Sequence, residues 1–302
     1  MKDSNNRPKM KHSFKHFLYI LILCLGFSIT ANAQNQHSSL LWEISGKNLA
    51  KPSYFFGTIH AMPHEKFFLP NMVAKKFNAA DKIVLELNLS DASTMNEAQR
   101  LMFMTDTTIS DLLTPEDLNI ATNFFADTLG MQLSQVGKIK PMLLSSIIIQ
   151  LFTGPNPESY EQSFLRMTKA SGKEMMGLET VKEQINCIDK IPLKEQARFL
   201  VEAITEFDKS KKEFQQLVNV YLSQNIDNVY KLIIEDPEFK YFADILIYNR
   251  NQKWVAKIEN LIKEHSCFIA VGCGHLGGEK GILALMQKEG YSVKPVQIES
   301  QK

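Results

Sequence analysis

The chain has 302 residues, 44% of them hydrophobic, with 34 Lys and Arg against 33 Asp and Glu. A formal charge of +1 with mixed signs offers no footprint for a phosphate backbone, so nucleic acid is excluded as the expected partner. The length can bury a substantial core, and no linker-like stretch divides it into two units.

Taken in chain order, Lys2, Arg7, Lys9, Lys11 and Lys15 form a basic leader. The apolar run Phe17 to Ile29 is too short to span a bilayer comfortably, and Ala31-Asn32-Ala33 has the small residues of a cleavage site. Residues 1–33 therefore read as a secretory signal peptide, with a periplasmic or secreted product beginning near Gln34. Leu23 before Cys24 argues against lipid attachment at that cysteine. Removing the leader takes five basic residues and one acidic residue, leaving a charge near −3. Ile147 to Phe152 is far too short for a transmembrane anchor.

Leu40 to Ile44, Ser53 to Phe56 and Lys82 to Leu87 are short, apolar or alternating, and bounded by turn residues, as strands are. From about 91 to 262 the periodicity is helical. Thr114-Pro115-Glu116-Asp117 places a cap, a proline at the first helical position and acids in the first turn; Ile191-Pro192 opens a helix to about Asp208. Lys173 to Leu178, flanked by Gly172 and Gly177, is a strand that returns to the sheet and delivers Glu179 to its end. Cys267 to Val271, a glycine-rich turn, a helix from about 281 to 289 and Tyr291 to Ile298 close the chain. The expected fold is one α/β domain over 34–302, its mixed sheet built from the two chain ends with a large helical insert between them. Cys187, Cys267 and Cys273 allow at most one disulfide and show no paired metal-ligand spacing.

Gly57-Thr58-Ile59-His60 and Gly272-Cys273-Gly274-His275 repeat one arrangement: an apolar strand, a glycine, two residues and a histidine. Strand ends of an α/β sheet are where ligands and reacting groups collect. Together with Leu69-Pro70, Val84-Leu85-Glu86-Leu87, Gly177-Leu178-Glu179-Thr180 with Gln184, Tyr248-Asn249-Arg250-Asn251, Leu276 and Gly281, these motifs give a chain that resembles the TraB/PrgY/GumN family, which includes the Tiki proteases. The resemblance implies an α/β fold akin to the erythromycin esterase and ChaN group, paired Gly-x-x-His motifs with an acidic residue and, for the Tiki members, metal-dependent peptide hydrolysis.

Chemistry points the same way. Two neutral imidazoles and a carboxylate supply three protein ligands to a catalytic divalent ion and leave a position for water. His60, Glu86 and His275 are the expected ligands of Mn²⁺, Co²⁺ or Zn²⁺, Fe²⁺ being compatible as well. Glu179 is expected as a fourth ligand or a proton acceptor, against a plain reading as a first-turn carboxylate. Arg250 is expected to clamp a substrate carboxylate or a developing oxyanion, against a plain surface ion pair. Gly57, Thr58, Gly272, Gly274 and Asn251 complete the expected substrate-facing set, the glycines letting the backbone approach a ligand closely. His64 reads as a residue of a solvated loop. Cys273 lacks a matching thiol.

Gly272-Cys273-Gly274-His275-Leu276-Gly277 also satisfies Gly-x-Gly-x-x-Gly, with Glu299 some way downstream. A dinucleotide fold needs strands beyond that acid, and a histidine in the turn would crowd the pyrophosphate. His64-Glu65 is not continued as His-Glu-x-x-His, and neither a Gly-x-Ser-x-Gly elbow nor a Walker loop occurs. The leading expectation is an exported metal-dependent hydrolase acting on a peptide or small-molecule amide. The alternative is a non-catalytic envelope protein that binds a metal, haem or a peptide signal. A third reading, a docking module in the insert, rests on Phe199, Phe207, Phe214, Tyr221, Tyr230, Phe239, Tyr241 and Phe242, a stripe more often buried between helices.

Overall fold

A computed structural model describes residues 38–235 and 237–300; the leader expected over residues 1–33 lies outside them. Six strands, β1 (Leu41–Ser45), β2 (Ser53–Thr58), β3 (Lys82–Leu85), β4 (Glu174–Gly177), β5 (Cys267–Gly272) and β6 (Ser292–Val296), form one mixed sheet in the order β4-β3-β5-β2-β1-β6. The expected α/β architecture is what the structure has: strands from both chain ends, with helices from Ala92 to Glu264 interrupted by β4.

The first four strands of that order run parallel, β3 pairing with both β4 and β5, and β5 with β2. All six residues of β2 are buried, as are five of the six in β5. Such strands are covered on both faces, which is why Tyr54-Phe55-Phe56 and Phe268-Ile269-Ala270-Val271 read as unbroken apolar runs rather than alternating ones. One face packs on an aromatic cluster in which the rings of Phe56, Phe77, Phe164 and Phe268 lie 5.1–6.3 Å from their neighbours. β1 runs antiparallel to both β2 and β6. At the sheet's edge β6 tolerates Pro295, whose missing N–H costs no ladder bond there.

The caps read from sequence have a structural counterpart. The Thr114 side chain accepts from the Asp117 N–H, with Pro115 opening the helix to Leu129. The helix after Pro192 runs from Leu193 to Thr205, shorter than expected, because Glu206 breaks the spiral before a second helix, Phe207–Leu222. Of the eight aromatic residues of the stripe, Phe214, Tyr221 and Phe242 are buried and Phe199, Phe207, Tyr230 and Phe239 are half-buried. Tyr241, 75% exposed, is the exception among the exposed large apolar side chains of this region. Cys187, Cys267 and Cys273 are free thiols. Among the described residues no helix is long and apolar enough to cross a membrane.

Candidate functional site

The C-terminal ends of the four parallel strands deliver, in sheet order, Glu179 after β4, Glu86 after β3, Gly272 and His275 at β5, and His60 after β2. Residues far apart in the chain thus stand side by side because parallel strands all finish at one edge of the sheet.

Gly272 is the point on which they converge. Its N–H donates to Glu86 Oε1 at 2.9 Å. A Cβ built on Gly272 would lie 3.3 Å from Glu86 Oε1 and 3.3 Å from His60 Nε2, so a side chain here would enter the space these two groups face.

The two histidines are held alike. His60 Nδ1 pairs with Glu161 Oε1 at 3.1 Å, and Glu161 also accepts from Thr58 Oγ1 at 2.6 Å and Ser159 Oγ at 2.8 Å. His275 Nδ1 donates to Asn251 Oδ1 at 2.6 Å. The Asn251 amide is oriented unambiguously, since its nitrogen donates to the carbonyls of His275 and Lys280 at 3.1 and 2.9 Å. Both imidazoles therefore have Nδ1 engaged and Nε2 left for the site. A carboxylate or amide behind a histidine is the usual support of a metal-ligating ring.

Their electrostatics differ. His275 is buried, its ring 4.5 Å from that of Trp254, and burial pushes its pKa down to about 3. It is neutral, with Nε2 carrying a lone pair. For His60, desolvation opposes the charge, but 70% of the side chain stays exposed and the hydrogen bond and charge of Glu161, with the charge of Glu86, raise its pKa to about 9. Burial also works to protonate Glu86, and is outweighed by the adjoining imidazoles, Arg250 and the Gly272 N–H, which hold it at about 2.

Arg250, at the start of the Asn249–Glu264 helix, fills the middle. Nε and Nη2 donate side-on to Glu179 at 3.1 and 2.6 Å; Nη2 also donates to Glu86 Oε2 at 2.7 Å. Nη1 donates to the Leu246 carbonyl at 2.8 Å, in a widened helical turn, and to His275 Nε2 at 3.1 Å. Trp254, one turn along, underlies the guanidinium at 4.6 Å. All five N–H donors are taken. Arg250, expected as a substrate clamp, stands in the site with these donors on protein acceptors, as an internal cation between the carboxylates. Glu179 is bound to that cation, and burial still raises its pKa above the ordinary carboxylate value.

Of the expected substrate-facing residues, Gly272 alone lines the polar space. Thr58 is buried on Glu161, and Gly57 is packed under Cys273 with its carbonyl accepting from Tyr221 Oη at 2.9 Å. Gly274 faces Ile233, and Asn251 has no exposed surface and acts from behind His275. These four residues shape the site without opening on it. His64 is exposed and pairs with Glu158. Burial raises the Cys273 thiol to about 12, which disfavours a thiolate ligand. The glycine-rich turn does not open a helix: a short 3₁₀ turn, Cys273–His275, follows β5, and the next helix starts at Ile282. Tyr230 lies where a Cβ of Gly277 or Gly278 would be, so that face of the turn is already covered.

Sequence reasoning missed Glu161 and Trp254. Glu161 follows Ser159, the N-cap of the Tyr160–Ser171 helix, and reads as an ordinary first-turn acid. Trp254 lies four residues after Arg250, a helical spacing that could have flagged it.

A cavity of about 430 Å³ adjoins Arg250, lined also by Cys187, Lys190, Asn249, Gln252 and Lys253. Another, of about 380 Å³, lies between Phe56, Tyr160, Tyr221 and the segment Ile298 to Ser300, and none of the converging side chains lines it. Among the described residues no group of three or more His, Cys, Asp or Glu is already arranged to hold a metal ion.

No solved structure matches the chain. Among curated proteins it is similar to the metalloproteases TIKI2 and TIKI1 of Danio rerio, at 20% and 21% identity over 87% and 88% of this chain. It is also similar to a metalloprotease TIKI homolog of Nematostella vectensis, at 20% identity over 89% of the chain and 69% of the relative. The matches span 62% and 64% of the two Danio rerio proteins, so this chain corresponds to under two thirds of their length. The profile of the TraB/PrgY/gumN family matches residues 40–295, nearly all of the described fold, and the chain belongs to that family.

Proposed function

We propose that this chain is a metal-dependent hydrolase that cleaves peptide or amide bonds, acting outside the cytoplasm after removal of residues 1–33. The observation that carries the reading is the matched support of the two histidines: each has Nδ1 fixed by a partner from another element, His60 Nε2 borders the space beside Gly272 that Glu86 faces, and His275 Nε2 meets the guanidinium that also binds Glu86. Two imidazole nitrogens and a carboxylate suit a divalent ion by donor type, and the relatives named as metalloproteases point the same way.

His60, Glu86 and His275 would hold the ion. When bound, it would acidify a water and polarise a carbonyl. The protein's own residues prepare the rest. Glu161 and Asn251 fix the ring orientations, so no ligand has to be ordered on binding. Glu179, its pKa raised by burial, would be the proton acceptor. Trp254 walls off the inner side of the site. Gly272 keeps its floor free of a side chain.

The test is cleavage of a peptide library by metal-stripped protein and by protein reloaded with Mn²⁺, Co²⁺ or Zn²⁺. Activity is expected to vanish on stripping, return with at least one ion, and be absent from His60→Ala and His275→Ala. Equal cleavage by stripped protein or by both variants overturns the proposal, and tight metal retention without turnover points to the binding-protein alternative. Mass spectrometry of the exported chain should find an N-terminus near Gln34.

A further inference from the structure

We infer that the Arg250 guanidinium and a divalent cation compete for the same two ligands, Glu86 and Nε2 of His275, so that metal enters only as Arg250 draws back onto Glu179. This deepens the metal-site reading above and rests on it.

Lone pairs and charge set the competition. Neutral His275, with Nδ1–H committed to Asn251, has a single lone pair, on Nε2. That lone pair accepts from Arg250 Nη1 at 3.1 Å. It cannot serve a metal at the same time. Glu86 divides its oxygens: Oε1 takes the Gly272 N–H, and Oε2 takes Arg250 Nη2 at 2.7 Å and, more weakly, Gln184 Nε2 at 3.3 Å. In the metal-free chain the guanidinium therefore supplies the positive charge that the buried carboxylates Glu86 and Glu179 require.

Arg250 has somewhere to go. Its side-on pair with Glu179 uses Nε and one N–H of Nη2, independently of the bonds to Glu86 and His275. The guanidinium can thus tip away from both while keeping its bidentate partner. The cavity of about 430 Å³ that it lines gives the displaced group room. His60 Nε2 is outside Arg250's bonding set, so the contest concerns one histidine of the two.

Metal affinity should then be reduced by the fraction of molecules in which Arg250 has withdrawn. The experiment is calorimetric titration of the metal-stripped full chain with Mn²⁺, for wild type, Arg250→Ala and Arg250→Lys, with circular dichroism to verify folding. Arg250→Ala is expected to bind Mn²⁺ at least about tenfold more tightly, corresponding to a withdrawn population below about one tenth. Millimolar guanidinium chloride, far below denaturing concentrations, should restore the weaker affinity in Arg250→Ala, while sodium chloride at equal ionic strength should not. Should Arg250→Ala fail to fold, Arg250→Lys carries the test. Its ammonium can pair with Glu179 but cannot also bridge Glu86 and His275, so Mn²⁺ should again bind more tightly than in wild type. Unchanged or weaker binding in the folded variants overturns the competition, as does a gain in Arg250→Ala that guanidinium does not reverse. Absence of Mn²⁺ binding from wild type and variants alike overturns the metal reading itself.

Discussion

The two Gly-x-x-His turns are one sequence pattern in two opposite environments. His60 stands at the mouth of the site with 70% of its side chain in solvent and a carboxylate at its back, and it holds its proton up to about pH 9. His275 is 4% exposed, rests on Trp254, has an amide behind it, and stays neutral down to about pH 3. The motif sets where each ring sits. The neighbours brought by other elements set whether it carries charge, because a carboxylate favours the imidazolium whereas burial against an indole and a guanidinium disfavours it.

The strongest way to break this comparison is on the buried side. Asn251→Ala would leave the buried His275 Nδ1–H and carbonyl, and the partly buried Lys280 carbonyl, without their partner. A loss of about 3 kcal/mol in urea unfolding is expected, since each abandoned buried group costs about 1–3 kcal/mol and some will relax. A change below about 0.5 kcal/mol would mean that the amide does not hold the ring.

The pH dependence of stability sharpens it further, because the two histidines act with opposite signs. Below pH 6.5 the unfolded chain binds a proton on His275 that the folded chain refuses, so stability should fall with decreasing pH, by at most about 1.4 kcal/mol per pH unit for that proton. Glu86, held at about 2, adds to this acid loss below pH 4.5. Above pH 6.5 the folded chain keeps a proton on His60 that the unfolded chain releases, so stability should fall again toward pH 9, along a shallower limb because solvent screens this ring. Stability of the metal-free chain should therefore peak near pH 6.5 in denaturant titrations. In Glu161→Gln the alkaline limb should flatten while the acid limb persists, and the His60 titration midpoint followed by NMR should fall. An unchanged midpoint would remove Glu161 from its assigned role.

The smallest expected effect on stability is the most informative about the site. Gly272→Ala adds a methyl 3.3 Å from both His60 Nε2 and Glu86 Oε1 in a backbone conformation that alanine accepts. The melting temperature should hardly change, whereas Mn²⁺ binding should drop markedly in calorimetry. Full retention of binding would place the ion elsewhere.

Much of this was legible in the chain itself. Runs such as Phe55-Phe56 and Phe268-Ile269 announce buried parallel strands by their unbroken apolarity, and a glycine followed by a histidine marks where such a strand stops. His60, Glu86, Glu179 and His275 could be drawn up for the same reason, since the polar residues just past buried strands have few other duties, whereas Arg250 stood out in a polar patch that opens a helix. Glu161 escaped because nothing local distinguishes it from any acid after a serine cap. Arg250 was found, but its acceptors were not, because naming them requires knowing that Glu86, Glu179, Leu246 and His275 meet around it.

Local pattern, then, determined the strands, the insert between them and the strand ends at which chemistry collects, because periodicity and turn residues act over a few positions of the chain. Only the tertiary structure decided which groups share a hydrogen bond, which imidazole is charged and which cation sits between the carboxylates. Those depend on solvent exclusion and on partners more than 100 residues away in sequence, such as Glu161 for His60 and Glu86 for Arg250, which meet only when the sheet has formed.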